Sequence, residues 1–193
     1  MHRISWYELT RMKLYEVTID QLYRSTLRAF PKTSKRQNSI DMINIESMDW
    51  VPYVGMKTLL ISSTVRGEGF RNPTERKAQT YKTLIVFKNV QYESSSNPHN
   101  IGLMTKNGDA IYLRPINHLK KDVLVRCACP DFKFRFAPYN KESKALYGRF
   151  TPYIRKTDTW PSVNPTQAPG VCKHLIKLAH AVKDSGILSH VHT

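Results

Sequence analysis

The sequence predicts an α+β fold with an N-terminal helical segment, a central and mostly antiparallel sheet, and a C-terminal module that ends in a helix. Three observations support this prediction: helical periodicity over residues 5–30, runs of β-branched and aromatic residues between positions 56 and 127, and a second helical pattern after Cys172. With 193 residues, of which 40% are hydrophobic, the chain can bury a core. We expect three segments, which are a helical arm with its linker (1–38), a β-rich core (39–126) and the C-terminal module (127–193).

The N-terminal helix is predicted by apolar residues that recur every three or four positions. They are Met12, Tyr15, Ile19, Leu22 and Phe30. Ser5 and Glu8 form a capping-box pattern at the start of this segment. Thr18 and Gln21 repeat the pattern, so one long helix and two shorter helices both remain open.

The middle of the chain reads as antiparallel sheet. Residues 56–65 and 80–92 are rich in the β-branched and aromatic side chains that favour strands. Asn107-Gly108 lies between two short strand-like runs and predicts a hairpin over residues 101–114. A further strand is predicted at 122–127.

The last part of the chain combines a long loop with a helix. The loop is interrupted by Pro152, Pro161, Pro165 and Pro169. Such a loop makes few hydrogen bonds of its own and needs an external anchor. The helix begins near Cys172, has Leu175, Ile176, Ala179 and Val182 on one face, and is predicted to stop at Gly186.

The composition limits the classes of protein to which the chain can belong. Thirty Lys and Arg residues against fifteen Asp and Glu residues give a net charge of +15, which favours a polyanion or an acidic protein surface as partner. No apolar run approaches the roughly 20 residues of a membrane span, and the N-terminus lacks the apolar core of a signal peptide. We expect a soluble protein, made in a cytoplasm and not secreted, without a membrane or small-molecule partner.

The three cysteines form a pattern with one histidine. Cys127 and Cys129 are one residue apart after a predicted strand, and Cys172 and His174 are one residue apart where a helix begins. In a reducing compartment, clustered Cys and His indicate metal more often than a disulfide framework. We therefore predict that these four residues bind one zinc ion, so that the C-terminal module is zinc-stabilised; the alternative is three buried thiols and a surface histidine. Four protein ligands leave no open coordination position, which indicates a structural ion.

The pattern C-x-C…C-x-H at Cys127, Cys129, Cys172 and His174 resembles the SWIM-type zinc finger. The spacer of 42 residues between Cys129 and Cys172 is longer than is usual in that family. The run from "RCACPDFKFRFAPYNKESKALYG" to "NPTQAPGVCKHL" also resembles uncharacterised proteins of large tailed bacteriophages. The first resemblance implies a metal-binding module, and the second implies a phage source.

Basic and aromatic residues alternate after the CxC pair. The candidate contacts for nucleic acid or another partner are Lys133, Arg135, Lys141, Lys144, Arg149, Arg155 and Lys156, with Arg66 and Arg71 from the loop predicted at residues 66–77. Cations bind phosphates and flat rings stack on exposed bases. The alternative is amphipathic structure, with phenylalanines inward and cations in solvent.

Two enzyme hypotheses find weak support in the sequence. Asp131, Glu142 and Lys144 match the loose PD…ExK pattern of metal-dependent endonucleases, but that pattern is short and Asp131 adjoins the predicted zinc ligands. Cys172 and His174 as nucleophile and base would point to different sides of a helix. Asp131 is instead interpreted as an N-cap or as a partner of the zinc ligands.

We therefore expect a non-catalytic protein. The first hypothesis is a zinc-stabilised structural or assembly component of a tailed-phage particle, located in the virion and contacting other virion proteins or packaged DNA. The second is a free nucleic-acid-binding protein, and a metal-dependent nuclease is a remote third.

Overall fold

The structure of the chain is a computed structural model that describes residues 17–31, 40–68, 78–105, 107–153 and 162–189. These residues confirm the predicted α+β class. Their helices are α1 (Ile19–Ala29), α2 (Ala137–Glu142) and α3 (Lys173–Asp184). Their strands are β1 (Asn44–Tyr53), β2 (Thr58–Glu68), β3 (Ala78–Phe87), β4 (Tyr92–Glu93), β5 (Ile101–Met104), β6 (Ala110–Leu113) and β7 (Val123–Cys127).

The larger sheet is antiparallel, with strand order β1-β2-β3-β7. Ile61 of β2 pairs with Ile85 of β3, which in turn pairs with Val125 of β7. All three side chains are fully buried, because strand side chains alternate between faces and this row lies on the face that covers the core. This face carries the C-terminal helix.

The smaller sheet has the order β4-β6-β5 and contains the predicted hairpin over residues 101–114. Gly108 has a φ of +88° in the turn, a conformation that glycine adopts without steric cost. The indole Nε1 of Trp50 donates a hydrogen bond to the carbonyl oxygen of Met104 at 3.0 Å. This bond joins the two sheets.

The structure differs from the predictions in three strands. Strand β1 was not predicted, because Pro52 and several polar residues interrupt its pattern; it lies at the edge of the sheet, where proline is tolerated. Strand β2 continues to Glu68, so Arg66 lies in a strand and not in the predicted loop. The strand predicted at 80–92 is divided into β3 and β4, with Asn89 between them at a positive φ of 54°.

Helix α1 begins at the second predicted capping box. The side chain of Thr18 accepts a hydrogen bond from the backbone of Gln21, and the Gln21 side chain accepts one from the backbone of Thr18. Leu22 and Thr26 are buried on its inner face. The helical pattern before residue 17, including the box at Ser5, lies outside the described residues.

A helical stretch that was not predicted follows the CxC pair. Phe132–Phe136 form a π-helical turn that leads into α2, and wide turns of this kind often occur at functional sites. Phe132 and Phe136 are buried, whereas Phe134 is exposed. The inward direction expected for the phenylalanines therefore holds for two of the three.

Helix α3 packs against β3 and β7. Leu175, Leu178 and Val182 are fully buried on its inner face, and Gly186 follows its end with a φ of +78°. The predicted helix and its stop signal are thus confirmed. Among the described residues, no helix combines the length and the apolar character that crossing a bilayer would require.

Candidate metal centre

The fold brings two distant pairs of residues together at the end of the larger sheet. Cys127 is the last residue of β7, and the next residue, Ala128, donates its backbone N–H to the carbonyl oxygen of Lys82 in β3. Cys172 is the N-cap of α3, which places His174 in the first turn of that helix. Because α3 packs against β3 and β7, the start of α3 meets the end of β7.

The four side chains have the separations of a metal site. The ligand atoms of Cys127, Cys129, Cys172 and His174 all lie within 4.8 Å of one another. The Nδ1 atom of His174 is 3.9 Å from the Sγ atom of Cys127 and 4.0 Å from the Sγ atom of Cys172. A tetrahedral zinc ion with ordinary bond lengths requires a sulfur–nitrogen separation of about 3.6 Å, so these two separations are within a few tenths of an ångström of that geometry.

Backbone N–H groups point at two of the sulfur atoms. The backbone nitrogen of Cys129 lies 3.4 Å from the Sγ atom of Cys127, and that of Phe132 lies 3.3 Å from the Sγ atom of Cys129. Both N–H groups donate to sulfur. Donors in this position stabilise a thiolate, which is the form of cysteine that binds metal.

Without a cation, the three sulfur atoms have very different proton affinities. Hydrogen bonds from Cys127, and then from Cys172, lower the pKa of the Cys129 thiol far below its ordinary value. The Cys129 side chain raises the pKa of Cys127, and burial raises the pKa of Cys172. The metal-free cluster therefore holds one thiolate and two thiols, and a bound divalent cation would displace the remaining protons.

His174 presents one ring nitrogen to the sulfur atoms and the other to strand β2. Its Nε2 atom is buried and has no hydrogen-bond partner among the described residues. A Cβ atom built at Gly67 would lie 3.2 Å from Nε2, and the ring of Tyr81 packs on the imidazole at a centroid distance of 4.8 Å. Nδ1 is thus the ring atom available to a metal, and the absence of a side chain at Gly67 leaves room for the ring.

These observations show that the four predicted residues can hold one metal ion. Each of the four residues is at most 4% exposed. The donor set of three sulfur atoms and one imidazole nitrogen is typical of structural zinc sites. All four donors are closed to solvent.

The loop that precedes Cys172 has anchors that the sequence did not reveal. Asn140 in α2 exchanges two hydrogen bonds with the backbone of Gly170. The amide nitrogen of Asn164 donates to the carbonyl oxygens of Arg135 and Ala168, each at 2.8 Å. No sequence pattern draws attention to Asn140, because its role depends on the contact with Gly170. The described part of the loop is therefore held by side-chain amides as well as by the metal ligands.

The candidate contact residues have different environments. Lys133, Lys141, Lys144 and Arg149 are exposed. Arg135 makes an ion pair of 2.6 Å with Asp131 and donates to the carbonyl oxygen of Val163, so it stabilises the loop. Arg66 is exposed on β2, 3.8 Å from Glu46. Arg71, Arg155 and Lys156 lie outside the described residues.

Asp131, one of the two carboxylates of the nuclease-like pattern, also has a partner. Asp131 accepts the hydrogen bond from Arg135 within the same helical stretch, and its side chain makes no capping hydrogen bond. The predicted N-cap role of Asp131 is therefore wrong. Its carboxylate positions Arg135 and, through it, the loop at Val163.

Comparisons of the chain with protein-family models, with curated proteins and with solved structures find no match. The assignment of the metal centre therefore rests on its geometry: four buried donors that lie at and after the end of β7 and at the start of α3.

Proposed function

We propose that the chain is a non-catalytic, zinc-stabilised structural or assembly component of a tailed-phage particle. Its positive surface contacts acidic virion proteins or packaged DNA. The zinc ion links the end of β7 to the start of α3 and takes no part in chemistry.

The observation that carries the zinc-stabilised, non-catalytic part of this proposal is the burial of all four candidate metal ligands. A catalytic zinc ion keeps a coordination position for water or substrate, whereas a structural zinc ion is enclosed by four protein donors. Cys172 and His174 are as inaccessible as the CxC pair, at 0% and 4% exposure. The ion would therefore contribute its binding free energy to the folded state.

Charge and sequence resemblance support the role in a particle. The net charge of +15 is large for 193 residues, and unbalanced charge of this size disfavours a compact chain unless a negative partner neutralises it. The resemblance of the last third of the chain to uncharacterised proteins of large tailed phages implies a phage source, and we propose the particle as the place where such partners occur.

A second function is favoured by the surface beside the metal centre. Exposed aromatic rings and lysines lie together there, as the ion–ring contacts of Lys133 with Phe134 and of Lys141 with Phe150 illustrate. This combination is typical of proteins that bind nucleic acid. The second candidate is therefore a free nucleic-acid-binding protein of the infected cell.

The first experiment determines the metal content of the natively purified protein by elemental analysis under reducing conditions. We expect one zinc per chain in the wild type and less than a tenth of that in Cys172→Ser. A wild-type protein without metal would overturn the zinc-stabilised module.

The second experiment distinguishes the partners by salt and by location. Binding to phosphates weakens steeply as salt rises, whereas a protein interface with an apolar core changes much less. We expect the chain in purified particles, where it stays bound at high salt. A chain found only in the soluble cell fraction, with salt-sensitive binding to DNA, would favour the second function over the first.

A further inference from the structure

A groove lies beside the metal centre, between the helical stretch after the CxC pair and the loops that follow α2. Its walls include Phe134 and Tyr139 from the helices, and Phe150, Tyr153 and Val163 from the loops. We refer to these five residues as the aromatic groove. They lie close together because Arg135 and Asn164 hold the two sides of the groove to each other.

Several apolar side chains of the groove are exposed to solvent. Tyr153 is 59% exposed and Phe134 is 38% exposed, although neither lies at a chain end. Their rings are in edge contact, with centroids 4.8 Å apart and planes at 65°. Val163, on the opposite wall, is also exposed. Exposed aromatic rings that lie together offer flat faces on which the rings of a ligand can stack.

The charge around the groove has one sign. The Nζ atom of Lys133 lies 5.3 Å from the ring centroid of Phe134, and that of Lys141 lies 5.2 Å from that of Phe150. A second hollow adjoins the groove, shares Lys133 and Phe150 with it, and adds Arg126. Among the described residues that line the two hollows, none is an aspartate or a glutamate. The surface is therefore complementary to a polyanion that also offers apolar faces.

We infer that the aromatic groove binds single-stranded nucleic acid. Unpaired bases stack on Phe134 and Tyr153, while phosphates face Lys133 and Lys141. Every base has a flat face, so the groove needs no sequence-specific donors or acceptors. A double helix hides those faces, and an acidic peptide would satisfy the lysines but leave the rings without flat partners. The inference rests on the proposed binding of polyanions and adds the ligand and its site.

The experiment measures the anisotropy of a fluorescein-labelled oligothymidylate, and of an abasic phosphodiester of equal length, as full-length protein is added. The variant is Phe134→Ala/Tyr153→Ala, and the control is Tyr53→Ala, which removes a similarly exposed ring from β1. We expect the groove variant to bind oligothymidylate about tenfold or more weakly than the wild type, and the control to match the wild type. The abasic strand should bind the wild type and the groove variant equally.

The possible outcomes separate binding of nucleic acid in the groove from general binding of polyanions and from binding of an acidic peptide. Equal affinity of the wild type and the groove variant for oligothymidylate would overturn the groove and leave polyanion binding intact. Absence of binding to either strand at low salt would overturn both. Tighter binding of a labelled polyglutamate than of oligothymidylate, lost in the groove variant, would assign the groove to an acidic peptide. Unchanged circular dichroism and zinc content in both variants would exclude misfolding as the cause.

Discussion

Asn140 and Gly170 exchange two hydrogen bonds across 30 positions of the chain: the backbone N–H of Gly170 donates to Oδ1 at 2.8 Å, and Nδ2 donates to the carbonyl oxygen of Gly170 at 2.9 Å. Both residues are interior, and Asn140 is fully buried. The pair fixes the backbone two residues before the metal ligand Cys172. The side-chain amide of Asn140 therefore acts on the same short segment that carries the candidate metal ligand Cys172.

Replacing Asn140 with alanine should destabilise the fold strongly. The substitution leaves the N–H and carbonyl of Gly170 buried without partners, and each such group costs about 1–3 kcal/mol, so we expect a loss of about 2–4 kcal/mol. Urea unfolding monitored by circular dichroism measures the change. Asn97→Ala is the matched control, because that side chain accepts one exposed hydrogen bond from the backbone of His99. A loss of equal size in both variants would contradict the role of Asn140.

Gly170 itself should not tolerate a side chain. A Cβ atom there would lie 2.8 Å from Cε1 of Phe136 and closer still to Oγ1 of Thr26. Gly170→Ala should therefore cost about 1–3 kcal/mol through overpacking. Gly55→Ala is the control, since nothing lies within 4 Å of a Cβ atom at that exposed position. Equal melting temperatures of the two variants would show that the structure adjusts at Gly170 without cost.

The sequence predicted the elements that are determined locally. The hairpin at 101–114, the last strand and helix α3 each have a turn residue or a periodic pattern of their own. The candidate metal ligands were also predictable, because cysteine and histidine at short spacing indicate metal binding. This holds whatever path the chain takes between the two pairs.

The elements that were missed depend on partners distant in sequence. Strand β1 has a weak pattern, and besides its pairing with the neighbouring strand β2 it has a distant contact, the hydrogen bond from Trp50 to Met104. The role of Asn140 becomes visible only when the fold has brought Gly170 against its side chain. Likewise, the space for the His174 ring is created by Gly67 on a strand more than a hundred residues away. Single-sequence patterns contain no information about such contacts.

Loss of one metal ligand should reduce both zinc content and stability. In His174→Asn, three sulfur atoms remain but the imidazole is gone, so the site should bind zinc far more weakly. At free zinc about a thousandfold above the wild-type Kd, loss of binding lowers the unfolding free energy by about 4 kcal/mol. His99→Asn, at an exposed position, is the control. Thermal unfolding with and without a chelator measures both effects, and a chelator without effect on the wild type would exclude a stabilising metal.

Zinc affinity should fall as the solution becomes more acidic. Burial raises the pKa of Cys172, and the Cys129 side chain raises that of Cys127, so both are thiols in the metal-free chain at neutral pH. Zinc binding releases these two protons, so the affinity should decrease by about a hundredfold for each pH unit. Competition with a chromogenic chelator at several pH values measures the slope. An affinity independent of pH near neutrality would show that zinc binding releases no protons, which would contradict the raised pKa values of Cys127 and Cys172.

Gly67→Ala should weaken metal binding without removing a ligand. The new Cβ atom would lie 3.2 Å from Nε2 of His174, so the ring must shift by a few tenths of an ångström, which displaces its Nδ1 atom relative to the sulfur atoms. Changes beside a ligand typically cost 10–100-fold in metal affinity, and we expect about tenfold here. Gly102→Ala, on β5, is the control, because its Cβ would meet Tyr112 at an ordinary 3.4 Å. Substitution with cobalt(II) measures the effect, since its ligand-field bands report the ligand geometry as well as the affinity. Unchanged bands and affinity in Gly67→Ala would show that the strand yields and the imidazole stays in place.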